Sequence, residues 1–314
     1  MSKWCGSPRI PHSSPARRPP RNLDPHPVVL LRVPTPTSHS MIRLLLLLLI
    51  FPLGTAFADT PEFKDAREEI YKTVGDTKLK LHIFGATDPA KPKPAIVFFF
   101  GGGWSSGSPA QFEKQARHFA ERGMIAITAD YRVKSRQNAK PVDCVSDAKS
   151  AVAWVRANAG RLGIDPQKIA ASGGSAGGHI AACTGTVSGF GSDERPNAMV
   201  LFNPACTLAA IDGWEPKGGA RISVDRMGAE PVAISPSHHI GPHTPPTLIL
   251  HGKQDSTVPY ASVEAFEKQM KKADRPCKLV GYEGEGHGFF NRGKAFDTTL
   301  AEADRFLVGL GWIK

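Results

Sequence analysis

Ser172-Gly173-Gly174-Ser175-Ala176-Gly177-Gly178 is the stretch on which the reading of this chain turns. It places a serine between glycines two positions before and two after. A short strand-like run, 168–171, precedes it, and a helix-like run of small residues, 176–186, follows. A serine on a sharp strand-to-helix turn is held in a strained backbone conformation with its hydroxyl exposed. The flanking glycines let neighbouring segments approach without a Cβ in the way, and the first N–H groups of the helix favour negative charge beside the serine. A phosphate-binding loop would need Gly-Lys-Ser/Thr after the glycines, which is absent. A dinucleotide loop would sit at the first strand of its unit rather than in mid-chain.

Working outward, strand-like and helix-like segments alternate from about residue 78. The segment 79–84 alternates at period two, as expected of a half-exposed edge strand. The segment 95–100 is continuously apolar, as expected of a strand buried on both faces. Further strands are expected at 124–128, 168–171, 199–202, 247–250 and 278–282, and helices at 110–121, 143–158, 176–186, 258–272 and 295–310. Strand-then-helix repetition is the pattern of an α/β fold, a mostly parallel sheet with helices on both faces. Residues 204–245 break the rhythm; they are rich in Gly, Pro and His and are read as a small lid or cap insertion.

Three further stretches carry chemistry. Phe100-Gly101-Gly102-Gly103-Trp104 follows the most apolar strand. Acyl transfer builds negative charge on a carbonyl oxygen, and pre-aimed backbone N–H groups stabilise it. The expected donors are Gly102, Gly103 and Ala176. Asp255 lies in the loop between a strand ending at His251 and a helix beginning near Pro259. There it suits a triad acid or a helix N-cap, and Ser256 or Thr257 could supply the cap instead. His287, in Gly284-Glu285-Gly286-His287-Gly288-Phe289, falls in the last strand-to-helix loop. The order Ser175…Asp255…His287 is the one expected for a serine on such a strand-to-helix turn. His287 would take the Ser175 proton, and Asp255 would orient the imidazole and stabilise its cation.

On these residues, together with Ala129-Asp130-Tyr131-Arg132 and Gly173 to His179, the chain resembles the α/β-hydrolase superfamily of esterases and lipases. The likeness covers residues 78–312 and is greatest to acetyl-esterase-like and hormone-sensitive-lipase-like enzymes. It implies hydrolysis of carboxylic esters, of short acyl groups such as acetyl, through an acyl-enzyme; polysaccharide or xylan-derived esters are among the expected substrates. Two positions depart from the relatives. They often carry His before the glycine triplet, where this chain has Phe100, and an acid before the nucleophile, where it has Gly174. A serine peptidase of the prolyl-oligopeptidase type and a catalytically silent binding protein on a hydrolase fold are the competing readings.

Charge and composition narrow the partners. The formal net charge is +10, but residues 1–58 hold seven of the Lys and Arg and one acid, which leaves 32 basic against 28 acidic residues. No basic stripe with interleaved aromatics appears, so nucleic acid is not an expected partner. Residues 1–40, rich in Pro, Arg and Ser, read as disordered and as an over-extended start. Met41-Ile42-Arg43, the apolar run 44–51 and Ala56-Phe57-Ala58 read as a signal peptide. The run is too short for a membrane anchor. The catalytic domain is then 59–314, exported to the periplasm or secreted. Its cysteines, Cys144, Cys183, Cys206 and Cys277, form no C-x-x-C pair and read as buried thiols. Asp130 and Arg132 read as structural partners near the glycine loop. His238 and His239 are adjacent and, with His243, lack a metal-ligand geometry. Trp214 is expected either to line the pocket or to pack the insertion. No cofactor is implied, since proton transfer and backbone donors suffice.

Overall fold

The structure is a computed structural model that describes residues 63–217 and 222–314. The disordered and signal-peptide readings of 1–40 and 41–58 lie outside those residues. Eight strands form one sheet: β1 (Arg67–Val74), β2 (Thr77–Phe84), β3 (Lys93–Phe99), β4 (Ile125–Ala129), β5 (Ile164–Gly174), β6 (Ala198–Phe202), β7 (Thr247–Gly252) and β8 (Cys277–Tyr282). Their spatial order is β1-β2-β4-β3-β5-β6-β7-β8. β1 pairs antiparallel with β2 and β2 with β4, and every later pairing is parallel. The helices are α1 (Glu113–Glu121), α2 (Lys134–Gln137), α3 (Pro141–Ala157), α4 (Ala159–Leu162), α5 (Ala176–Thr186), α6 (Val224–Met227), α7 (Tyr260–Lys272) and α8 (Gly293–Gly309).

The continuous apolar runs have a simple cause. Successive strand residues face opposite sides of a sheet, and both sides of this one are covered. Ala95, Val97 and Phe99 of β3 join one core with residues of α3, α5 and α7, such as Val152, Ile180 and Phe266. Ile96 and Phe98 join the other, with Phe119 of α1 and Leu307 of α8. β6 divides in the same way, Met199 and Leu201 against Val200 and Phe202. A strand read on both faces cannot show a period-two pattern. Every residue of α5 is buried, which is why it is built from small side chains and has no polar face.

One expectation is corrected. β2 is not an edge strand: it lies between β1 and β4, and His82, which looked solvent-facing in the alternation, is fully buried against the Phe63 ring, 4.8 Å between centroids. The edge is β1, which sequence reading did not find. In REEIYKTV only Tyr71 is buried, Ile70 is 47% exposed, and the register shifts between Ile70 and Lys72, so no regular alternation survives. The insertion 204–245 lies between β6 and β7. Its described residues hold one short helix, α6, and two 3₁₀ turns, Pro231–Ile234 and Pro236–His238. Among the described residues no helix is long and apolar enough to cross a membrane.

Candidate active site

The site is built at the carboxyl ends of the parallel strands, where open α/β sheets place their ligands. Ser175 follows β5 directly and precedes α5. Its backbone has φ 55 and ψ −119, in the left-handed half of the map. Such a conformation in a non-glycine residue costs about 1–3 kcal/mol and persists only when the surroundings over-determine it. Here they do. The Ser175 N–H donates to the Phe202 carbonyl at 3.0 Å, and the Ser175 carbonyl accepts from the His179 N–H at 2.9 Å. The motif glycines are needed because the turn is crowded: a Cβ on Gly177 would lie 2.0 Å from the Phe99 carbonyl oxygen, and one on Gly173 2.6 Å from it.

Ser175, His287 and Asp255 come together. Ser175 Oγ lies 2.9 Å from His287 Nε2, and His287 Nδ1 lies 2.7 Å from Asp255 Oδ2. Of its two expected uses, Asp255 is placed as the acid beside His287 and does not cap α7. Oδ2 faces His287, while Oδ1 accepts from the N–H groups of Thr257 and Val258, both at 2.8 Å. Neither Ser256 nor Thr257 caps α7; its N-cap is Pro259, with no side-chain cap. Sequence reading also missed His251, the last-but-one residue of β7. Its buried Nε2 lies 2.9 Å from the Val258 carbonyl and 3.3 Å from Asp255 Oδ2. Both neighbours are acceptors, so Nε2 carries the hydrogen. Burial pushes the Asp255 carboxyl up, but hydrogen bonds from His251, His287 and the Val258 N–H outweigh it and hold the group well below the usual carboxylate range. Asn203, at φ 33, accepts the Gly288 N–H on its Oδ1 at 3.0 Å and so ties the His287 loop to the end of β6.

The glycine triplet packs against the nucleophile. A Cβ on Gly101 would lie 3.3 Å from the Ser175 Cβ, and the Gly101 N–H donates to Gln111 Oε1. Gly102 and Gly103 follow at φ 126 and 62, and Trp104 at φ 59. The Gly102 carbonyl closes the turn by accepting from the N–H groups of Ser105 and Ser106. Gly103 and Ala176 line the cleft beside Ser175; Gly102 is exposed and is not among the lining residues. The cleft measures about 640 Å³. Trp104, Leu208, Trp214, Ile222 and Val258 give it apolar walls, and Thr207, Lys217, Arg226, Ser256 and Ser262 polar ones. Trp214 therefore lines the pocket rather than only packing the insertion.

The two departures from the relatives have local reasons. Phe100 is buried and stacked on Tyr131, 4.1 Å between centroids, and its carbonyl accepts the Tyr131 hydroxyl at 2.6 Å. Gly174 has no room for an acid, since a Cβ there would lie 2.5 Å from the Phe290 ring. Other residues serve the frame. Asp130 pairs with Arg136 and Asp147 with Arg132, at 2.7 and 2.8 Å. His238 bonds Ser235 and Ala210, and His239 bonds Val232. Among the described residues no group of three His, Cys, Asp or Glu is arranged for a metal ion. The four cysteines among the described residues are free thiols; Cys144, Cys183 and Cys206 are buried, and Cys277, against expectation, is only partly so.

A mostly parallel sheet covered on both faces, with a strained serine after its central strand, defines an α/β-hydrolase fold. Comparison with known proteins agrees. The BD-FAE family model matches residues 81–212 and the dienelactone hydrolase family model residues 228–311. The first span contains the glycine triplet and Ser175, the second Asp255 and His287. The esterase Est2 of the Planctomycetes species Thermogutta terrifontis is 49% identical, with a TM-score of 0.76 over 81% of this chain and 95% of its own. Its structure is also known with butyrate bound and phosphonylated by sarin. Esterase LipC of Mycobacterium tuberculosis is 30% identical over 64% of this chain and 54% of its own. A probable isoprenylcysteine alpha-carbonyl methylesterase of rice, Oryza sativa subsp. japonica, is 29% identical over 70% and 57%. The chain spans about half the length of these curated relatives. It belongs to the α/β-hydrolase esterases.

Proposed function

We propose that the protein is a serine carboxylesterase that hydrolyses short-chain esters through an acyl-enzyme. The observation that carries this reading is the unbroken chain of contacts from Ser175 Oγ, which lines the cleft, through His287 to the buried Asp255. Ser175 Oγ attacks the ester carbonyl carbon while its proton passes to His287 Nε2. Asp255, kept ionised by the hydrogen bonds it accepts, stabilises the imidazolium. The carbonyl oxygen takes up the negative charge beside Gly103 and Ala176, whose N–H groups, with that of Gly102, are the oxyanion donors of this reading. Collapse expels the alcohol, which takes the proton from His287. Water then repeats the sequence and releases the acid. No step calls for a cofactor.

A short acyl group is supported by the likeness to Est2, a protein whose structures hold propionate and butyrate. Acetyl esters, including those on xylan and other polysaccharides, are the substrates this reading favours. Export to the periplasm or medium is the matching proposal for location, from the 41–58 pattern; N-terminal sequencing of the mature protein should begin near Asp59, and a start near residue 2 would reject it. The substrate test is a panel of p-nitrophenyl acetate, butyrate and palmitate, acetylated xylan and a prolyl p-nitroanilide. The expected kcat/KM falls from acetate and butyrate to palmitate, with acetate released from xylan and no amide turnover. Amide cleavage without ester cleavage would replace the esterase reading with the peptidase one.

A further inference from the structure

We propose that His179 is a positioning residue for the oxyanion loop, a brace that joins the Trp104 indole to the main chain of the β6–β7 insertion and so fixes the glycine turn beside Ser175. The inference rests on the esterase reading and deepens it. His179 stands on α5 one turn after Ser175, and its ring is fully buried. The Trp104 Nε1–H lies 3.1 Å from His179 Nδ1. An indole N–H can only donate, so Nδ1 must accept. The ring hydrogen is then on Nε2, which donates to the Ile234 carbonyl at 2.7 Å. Both ring nitrogens are committed, and the tautomer follows from the partners alone. Burial pushes the imidazole down to about 4, against the pull of the Ile234 carbonyl, so the neutral form that Nδ1 needs prevails at neutral pH.

What the brace holds is a turn that glycine alone would leave loose. Trp104 sits at φ 59 directly after Gly102 and Gly103. Its carbonyl accepts from the Lys134 N–H at 3.1 Å, and its indole stands edge-on to His179, at 89° and 5.2 Å. The insertion also reaches the loop directly: Arg226 Nη2 donates to the Gly103 carbonyl at 3.0 Å, and its guanidinium lies over the Trp104 ring at 5.6 Å. Phe100, at the other end of the triplet, offers the loop no polar side-chain atom. The insertion is therefore less a cover for the cleft than a support for the loop at which charge develops. A support of this kind acts on the transition state more than on the bound ester.

The test compares His179→Phe, which keeps a ring without its nitrogens, His179→Gln, whose amide can both accept and donate, Trp104→Phe, and the Phe/Phe double variant. Each is assayed with p-nitrophenyl acetate, a trifluoromethyl ketone as tetrahedral inhibitor, and butyrate as planar competitor. His179→Phe should lower kcat roughly 30-fold or more with KM within about threefold. It should weaken the ketone by a similar factor and leave butyrate inhibition unchanged. The double variant should be no worse than the poorer single one, and His179→Gln should recover most of the loss. Wild-type kcat in His179→Phe, or equal weakening of ketone and butyrate, overturns the brace. If His179→Phe does not fold, Trp104→Phe decides alone: it removes the indole N–H that His179 accepts, together with part of the ring, and unchanged kcat and ketone affinity overturn the proposal. Failure of the esterase reading looks different, since wild type itself would then turn over no ester.

Discussion

On one side of Ser175, Asp255 and His287 stand on loops that leave adjacent parallel strands, β7 and β8; Asp255 is fixed by main-chain N–H groups two and three residues on, and the His287 loop by Asn203 at the end of β6. On the other side, the glycine turn and Trp104 are held by His179 and Arg226, the second of these from an insertion about 120 residues further along the chain. The acid–base side is thus borne by the ends of neighbouring strands, and the oxyanion side leans on the insertion. Damage to the first should strike proton transfer while leaving the fold alone. Damage to the second should couple activity to the stability of the insertion.

Four perturbations sharpen this contrast, from the largest effect to the smallest. Asp255→Asn keeps an oxygen for the Thr257 and Val258 N–H groups but no longer favours the working tautomer of His287. It should lower kcat by roughly 10⁴, as in other triads, with a melting temperature within a few degrees of wild type; a loss below tenfold contradicts the assigned role. On the braced side, His179 gives a pH signature in stability. Its pKa is about 4 when folded and near 6.5 when unfolded. Below pH 6.5 the unfolded chain therefore binds a proton that the folded chain refuses. Stability is fully present above about 6.5 and is lost as pH falls toward 4, by about 3 kcal/mol at 1.36 kcal/mol per pH unit. Urea titrations at pH 7 and 4.5 should show the fall in wild type and a smaller one in His179→Gln.

Gly174→Ala tests the crowding behind the nucleophile. Its Cβ meets the buried Phe290 ring, so a destabilisation of about 1–3 kcal/mol is expected. Phe290→Leu should relieve part of it, and an additive double variant would reject the steric explanation. The smallest effect is His251→Phe, which removes one donor from the triad carboxylate. A hydrogen bond to a charged group is worth about 1.5–3 kcal/mol, and the carboxylate here keeps three other donors, His287 and the Thr257 and Val258 N–H groups. A kcat loss of roughly tenfold, with the Asp255 contribution to acid stability reduced, is the expected result.

The same contrast governs what could be read from the sequence. Ser175, Asp255 and His287 were legible because a strand, a loop and a helix frame each one, and because the order of three loops along the chain is itself a constraint. β3 and β6 were legible because a strand buried on both faces is continuously apolar. β1 was not: its single buried residue, Tyr71, and its irregular register leave no pattern to detect. His251 was visible as the end of a strand, four residues before Asp255, yet nothing in one dimension says that the chain folds back to bring its Nε2 to the carboxylate. His179 had a clearer signal, four residues after Ser175 on a helix otherwise made of small residues. A lone imidazole among alanines and glycines is costly to bury unless both nitrogens are satisfied, so its presence there already asks for two partners. Which partners, Trp104 and Ile234, depends on contacts 75 and 55 residues apart.

The most direct test of the account is covalent labelling with diethyl p-nitrophenyl phosphate, followed by mass spectrometry of the intact protein and its peptides. A single diethylphosphoryl adduct is expected on the peptide that carries Ser175, formed together with loss of ester turnover, slowed in Asp255→Asn and absent in Ser175→Ala. An adduct on another residue, or full ester turnover by Ser175→Ala, would contradict it.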